Sequence, residues 1–334
     1  MKIPLGEVTD EQLLAEVARR KLDLHNQITD ALVKESYTFD GKLGKGASGE
    51  VLLVTNKTTG IKYACKVIAK NETMNDAQSM STEMEIMKRI RHRNIVSMYE
   101  LYESSKCMWV ILELVDGGDL HHHVTKFQHY SETVAAKLFR QCLSGLHYLH
   151  SLGVVHRDLK LDNILLKGSG DNVEVKIADF GLSALVRLGE GGYDAQESSK
   201  RKKFKGLTEM WGTKEYFAPE LIEGAYGPQA DMWSMGCILY EMLVGKAAFP
   251  FLRSERELYT RIQKRQYDTS CKEYSALSEN AKDLIAKMLA VDPVKRASAT
   301  EALRHPWVVG AEDNEDHHLE SGHSNLKTAY AAKK

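Results

Sequence analysis

The chain is poor in several things at once. Six prolines and five cysteines are scattered through 334 residues, and no charge sign dominates, with 45 Lys and Arg against 46 Asp and Glu. Near-neutral charge argues against a nucleic-acid binder, whose domains are usually strongly basic. No stretch approaches 18 consecutive apolar residues, so no membrane-spanning helix is expected. The start, MKIPLGEVTDEQ, lacks an apolar signal core and a glycine after the methionine, so no secretion signal or myristoyl anchor is read there. Cys65, Cys107, Cys142, Cys237 and Cys271 form no CxxC pair. They read as reduced thiols of a cytoplasmic or nuclear protein rather than a disulfide framework. His121, His122 and His123 resemble a metal tract, but consecutive side chains on a helix diverge and no cysteine pair is near, so a solvated helix start is the better reading.

What is present is patterned. Residues 9–34 show helical periodicity, with Thr9 and Gln12 placed as a capping box. From 37 to 70 the pattern turns strand-like, with glycine-rich and NKTTG turns. Helical spacing returns around 79–91 and strands near 95–102 and 108–115. From Asp116 onward the chain is mostly helical, with short strands around 154, 164 and 175. The organisation expected is an α+β chain in which an N-terminal helical extension (1–36) precedes a small β-rich part (37–115) and a larger helical part (116–307). Residues 308–334 follow as a polar tail.

Three stretches carry chemistry. GKGASGEV (44–51) lets backbone N–H groups approach phosphate oxygens, and the strand that follows disfavours a dinucleotide fold. YACKVI places Lys66 in an apolar strand, where an amine is costly unless paired; Glu83 and Glu85 are both candidate partners. HRDLKLDN (156–163) packs four charged groups and an amide into eight positions, and KIADFGLS (176–183) follows. Asp158 can accept a proton from an alcohol, and Asn163 and Asp179 offer the oxygen ligands Mg²⁺ prefers. Lys160 can neutralise a transferring phosphoryl group. Phosphoryl transfer needs positioning, metal and charge neutralisation, and this set meets that need.

Together with APE (218–220), DMWSMGCILYEML (231–243) and DPVKRASATEALRHPW (292–307), these motifs make the chain resemble a eukaryotic Ser/Thr protein kinase over about residues 37–307. The resemblance implies a two-lobed fold and phosphate transfer from Mg-ATP to protein Ser or Thr hydroxyls. Gly44, Gly46 and Gly49 would cover the phosphates and Lys66 would hold two of them. Counting back from RHRNIV selects Glu83 as its partner. Leu112 would be the gatekeeper and Glu113, Leu114 and Val115 the hinge. Val51, Ala64 and Leu165 would sandwich the adenine, with Leu43 and Asp119 completing the nucleotide contacts. Asp158 would act as base, Lys160 would steady the γ-phosphate, and Asn163 and Asp179 would bind Mg²⁺. Lys160 and Thr213 mark a Ser/Thr enzyme, and Glu220 would pair structurally with Arg296.

GGDL (117–120), the 130–160 stretch and RHPWV look most like the calcium/calmodulin-dependent group, including its calcium-dependent kinases. No D-x-D-x-D-G loop occurs, so no intrinsic calcium site is expected. Asp119 and Asp162 imply a preference for basic residues upstream of the target. The segment 179–220 is long, and its insert SSKRKKFK reads as a solvated loop, a localisation signal or a docking site for acidic partners. Lys214 stands where relatives usually have proline. Glu209 lies four residues before Thr213, where many relatives carry a phosphorylated Thr that pairs with the residue equivalent to Arg157. Either Glu209 orders the loop, or neighbouring Thr208 is phosphorylated. Residues 319–334 could begin an autoinhibitory helix, and the N-terminal helix 9–34 could dock on a lobe or, like the tail, bind a regulatory protein. The competing functional classes are a pseudokinase scaffold and a small-molecule phosphotransferase, the latter disfavoured by the polypeptide-facing APE and GT.

Overall fold

A computed structural model describes residues 31–46, 49–69, 87–104, 107–126, 131–168, 173–186 and 207–310. Glu83, Glu85, the 198–205 insert, most of the N-terminal helix and the tail lie outside them. The chain divides into two units, residues 1–80 with 97–114, and 81–96 with 115–334.

The first unit is built on one antiparallel sheet in the order β1-β2-β3-β5-β4, from strands Tyr37–Gly46, Gly49–Asn56, Lys62–Ala69, Met98–Glu103 and Cys107–Glu113. Strand alternation gives it two unlike faces. Val54, Cys65 and Ile111 point to one side and pack with Val33 and Tyr37 in a buried cluster. Val33 is 1% exposed and stands in a helical stretch, 31–36. The last turn of the N-terminal extension is therefore part of this core.

The second unit is mainly helical. Its helices are α1 (Leu120–Lys126), α2 (Glu132–Ser151), α3 (Pro219–Ile222), α4 (Gln229–Val244) and α5 (Glu255–Gln263), then α6 (Lys272–Ser275), α7 (Glu279–Met288), α8 (Ala299–Leu303) and α9 (Pro306–Val309). Two short ribbons pair β6 (Val154–Val155) with β9 (Ala184–Leu185), and β7 (Ile164–Lys167) with β8 (Glu174–Ile177). The strand stretches expected around 154, 164 and 175 fall on β6, β7 and β8.

Every residue of α4 is buried, as expected for a helix that is apolar nearly all round. Its three main polar members, Asp231, Ser234 and Glu241, are each hydrogen-bonded. Gly245, in the left-handed conformation at φ 79°, ends it. On α2, Ser131 caps the first turn by accepting from the Val134 N–H.

His121–His123 fall in α1, whose start is capped by Asp119 Oδ1, accepting from the His122 N–H at 2.6 Å. No group of three potential metal ligands occurs among the described residues. All five cysteines are free. Burial pushes the Cys65 and Cys142 thiols up to about 12, so both stay neutral and inert at physiological pH. Among the described residues no helix is long and apolar enough to cross a membrane.

Candidate active site

In the first unit, register places the expected nucleotide contacts together. Val51 is opposite Lys66, and Ala64 is opposite Leu112. Paired residues and their second neighbours share a face, so Val51, Ala64, Lys66 and Leu112 lie on the side of the sheet away from the Val54–Cys65–Ile111 cluster. Lys66 is buried at 8% exposure. Glu113 is opposite Tyr63 and so falls on the other face, where its Oε2 accepts from the Ser97 N–H at 3.4 Å. A hinge role for Glu113 is therefore a backbone role. Leu43 stands exposed where the β1–β2 pairing shifts register, and Gly44 pairs with Val51 just after it. Gly46 faces Gly49 where the hairpin closes. Gly49 has φ 147°, and a Cβ there would sit 2.2 Å from Val67 O, so only glycine fits.

The second unit carries the HRDLKLDN loop, and its geometry centres on Asp158. Asp158 Oδ1 accepts from the Thr213 N–H at 2.9 Å and the Thr213 hydroxyl at 2.8 Å. Oδ2 accepts from Lys160 Nζ at 2.9 Å and Asn163 Nδ2 at 3.0 Å. Lys160 Nζ also donates to Thr213 Oγ1 at 3.0 Å. An ionised carboxylate has about four acceptor positions, and all of them are engaged here.

Asn163 Nδ2 also donates to Asp158 O at 2.8 Å, so its Oδ1 is presented on the opposite edge of the amide. Asp179 follows β8 and holds a left-handed backbone at φ 62°, with the Gly181 N–H 3.4 Å from its Oδ1. Asn163 and the strand leading to Asp179 are tied directly, by the Ala178 N–H to Asn163 O at 2.9 Å. Two hard oxygen donors brought together by the backbone suit Mg²⁺.

Buried groups hold this loop. His156 is fully buried; its Nδ1 accepts from the Asp158 N–H at 3.3 Å, so its Nε2 carries the proton and donates to Ala178 O at 3.0 Å. Its ring meets that of Phe180 at 5.1 Å. Arg157 has φ 71°, a strained value for a side-chain-bearing residue. What pins it is Asp231 at the start of α4, whose carboxylate accepts the His156 and Arg157 N–H groups, each at 2.9 Å. A third contact joins Asp231 to His150 Nε2, also at 2.9 Å. Burial alone would push the Asp231 carboxyl up, but the His150 hydrogen bond, the nearby His150 and His156 rings and the His156 N–H outweigh it and hold it below the usual range. Sequence reasoning placed Asp231 inside a motif without giving it a role.

The segment before APE meets the same loop. Gly212 has φ 117°, and a Cβ there would sit 2.4 Å from Arg157 O. Glu209 Oε2 is 3.7 Å from Arg157 Nη1, and it accepts the Trp211 indole N–H at 2.7 Å. Arg157 directs its Nε to Leu182 O. Thr208 is exposed. Lys214 pairs with Glu255 in the first turn of α5. Glu220 and Arg296 form a buried two-pronged pair at 2.6 and 2.8 Å. Leu165 in β7 bridges to Asp119, and Val115 is half-buried nearby in sequence.

Residues 37–308 match the protein kinase domain family. The chain is 38% identical over 279 residues to calcium-dependent protein kinase 2 of Oryza sativa subsp. japonica, covering 83% of this chain and 51% of the relative. It is 38% identical over 279 residues to calcium-dependent protein kinase 34 of Arabidopsis thaliana, again covering 83% of this chain and 50% of the relative. A probable myosin light chain kinase of Dictyostelium discoideum is 36% identical over 295 residues, with 87% of this chain and 71% of the relative covered. The chain thus spans about half the length of the two calcium-dependent kinases.

Proposed function

The chain belongs to the protein kinase family, and from that premise we propose that it transfers the γ-phosphate of ATP to Ser or Thr hydroxyls of proteins. The observation that carries this reading is Asp158, a carboxylate surrounded by Thr213, Lys160 and Asn163. A neutral hydroxyl is the easiest of its four partners to displace. The acceptor hydroxyl takes the place of Thr213 Oγ1, donates to Asp158 Oδ1, and is oriented there for in-line attack. Lys160 stays close enough to neutralise charge building on the transferred group. Asn163 and Asp179 would hold Mg²⁺, which supplies charge neutralisation at the phosphate oxygens. On the first unit, the Val51, Ala64 and Leu112 face offers an apolar surface for adenine, and Lys66 shares that face as the phosphate ligand.

Substrate preference follows from exposure. Asp162 is exposed, whereas Asp119 uses Oδ1 to cap α1, so Asp162 is the stronger determinant for basic residues upstream of the target. Regulation centres on Glu209, whose charge near Arg157 orders the segment without a phosphate; phosphorylation of the exposed Thr208 is the competing route.

The test is phosphate transfer from Mg-ATP to an Arg-containing Ser/Thr peptide by phosphatase-treated protein. Asp158→Asn should fall by about 10²- to 10⁴-fold, the usual range for a lost general base. Equal rates for the two proteins would overturn the assignment; ATP binding without turnover by either would point to a missing phosphate at Thr208, a missing partner or a wrong peptide, and no ATP binding would favour a scaffold.

A further inference from the structure

The second unit carries a basic face that the site above does not use. Lys88, Arg89, Arg91 and Arg93 fall within six residues and all are exposed. The stretch they occupy lies against α2. The Arg91 N–H donates to Tyr148 Oη at 3.0 Å, the His92 and Tyr148 rings stack at 5.1 Å, and Asn94 Nδ2 donates to Gln141 Oε1 at 3.1 Å. On α2 itself, exposed Lys137 and Arg140 stand three residues apart and so share a face with Ser144. Between these elements is a recess lined by Arg93, Asn94, Arg140, Gln141, Ser144 and Glu174. Glu174 is its one acid and already pairs with Arg93 at 2.9 Å. Neither Lys137 nor Arg140 has a side-chain partner among the described residues. The face therefore carries uncompensated positive charge in a chain whose total charge is near zero.

The compensating charge sits further along the same chain. AEDNEDHHLE (311–320) holds Glu312, Asp313, Glu315, Asp316 and Glu320, and no Lys or Arg follows until Lys327. The described chain approaches that stretch beside α2: in α9 the Trp307 ring meets Phe139 at 6.0 Å, and its indole N–H donates to Glu132 Oε2 at 2.8 Å. Phe139 is the residue next to Arg140. Six residues, from Gly310 to Asp316, reach about 20 Å when extended, several helical turns along α2. We propose that the acidic segment 312–320 docks on the basic face formed by 88–93 and the Lys137–Arg140 side of α2, within one chain. Charge complementarity and a chain that leaves from beside α2 select this occupant over a separate acidic protein.

A zero-length carbodiimide cross-link on the full chain, read by peptide mass spectrometry, tests it, because the reagent joins only carboxylates and amines already in contact. Links from Glu312, Asp313, Glu315 or Asp316 to Lys137 or Lys88 are expected at low ionic strength. Raising NaCl to about 0.5 M, where screening is nearly complete beyond a few ångströms, should cut their yield about five- to thirty-fold. R93E/R140E should do the same, with the far-UV circular dichroism unchanged, since both side chains are exposed. Absence of the links in the native chain, or a yield indifferent to both salt and R93E/R140E, would overturn the proposal. So would links found in mixed labelled–unlabelled form in an equimolar isotopic mixture, which a link within one chain never gives and which would assign the face to a second copy.

Discussion

Single residues decide how firmly the catalytic loop is held. Asp231 accepts two loop N–H groups and a His150 contact while buried. Asp231→Asn turns an acceptor into a part-donor facing donors, at a cost of about 3 kcal/mol. Thermal unfolding should show Tm lower by roughly 6–12 °C. Gly212→Ala forces a Cβ onto Arg157 O, one residue from Asp158. Peptide phosphorylation by that variant should drop about 10²-fold, as expected for misplacing a catalytic group by an ångström or so. Glu209 is different in scale: at 68% exposure and 3.7 Å from Arg157 it makes a loose, screened contact. Glu209→Ala should lower turnover by up to about fivefold, with Thr208→Ala near the native rate; the reverse order of effects would assign regulation to Thr208. Asp158, Lys160 and Asn163 were legible in sequence because their chemistry is packed into one short stretch. Asp231 was not, because its role is created by contacts with residues 74 and 75 positions away. Nor was the partner of Lys214, since nothing local marks Glu255.

At the level of elements, the sheet of the first unit shows why strand alternation was readable and its meaning was not. Period-two patterning announced β2, β3 and β5, but only register shows that Val51, Ala64, Lys66 and Leu112 share a face while the Glu113 side chain falls on the other. The sequence drew the N-terminal extension as ending at residue 36 and left open whether its helix docks on a lobe; its Val33 packs with Tyr37, Val54, Cys65 and Ile111. Removing residues 1–36 takes a fully buried valine from that core and should cost about 1.5–3 kcal/mol, seen as an earlier urea midpoint. In the second unit, α3 is tied to the α7–α8 connection by Glu220 and Arg296, whose guanidinium also reaches Ala290 O and Gln229 O and lies 5.1 Å from the Trp233 ring. An ammonium cannot reproduce that fork. Arg296→Lys should therefore destabilise by about 2–4 kcal/mol despite conserving charge.

Across the whole molecule, shifted groups bracket the pH range of stability. Asp231, Asp283 and Glu301 all have carboxyls held below their ordinary values. Against the opposing effect of burial at Asp231, contacts with His150 and His156 prevail; Lys287 and His305 act on Asp283, and Ser298 acts on Glu301. Groups depressed in the folded state contribute stability above their unfolded values, near 4, and lose it as pH falls through the folded ones. Tyr37, Tyr216 and Tyr240 are shifted the other way, by burial first and by neighbouring acidic groups second. Their contribution is complete below about pH 10 and is lost as pH rises further. His92, held below its ordinary value by burial and by nearby Arg93 and Lys176, starts the acid limb, and the raised thiols of Cys65 and Cys142 start the alkaline one. Melting temperature should thus be flat between roughly pH 7 and 8 and fall on both sides. The all-buried α4 adds a different consequence. Its amide hydrogens face no solvent on any side, so they exchange with water only when the second unit opens as a whole. Deuterium trapped in residues 233–243 would leave at the rate of that opening, making this one helix a clock for the lifetime of the folded state.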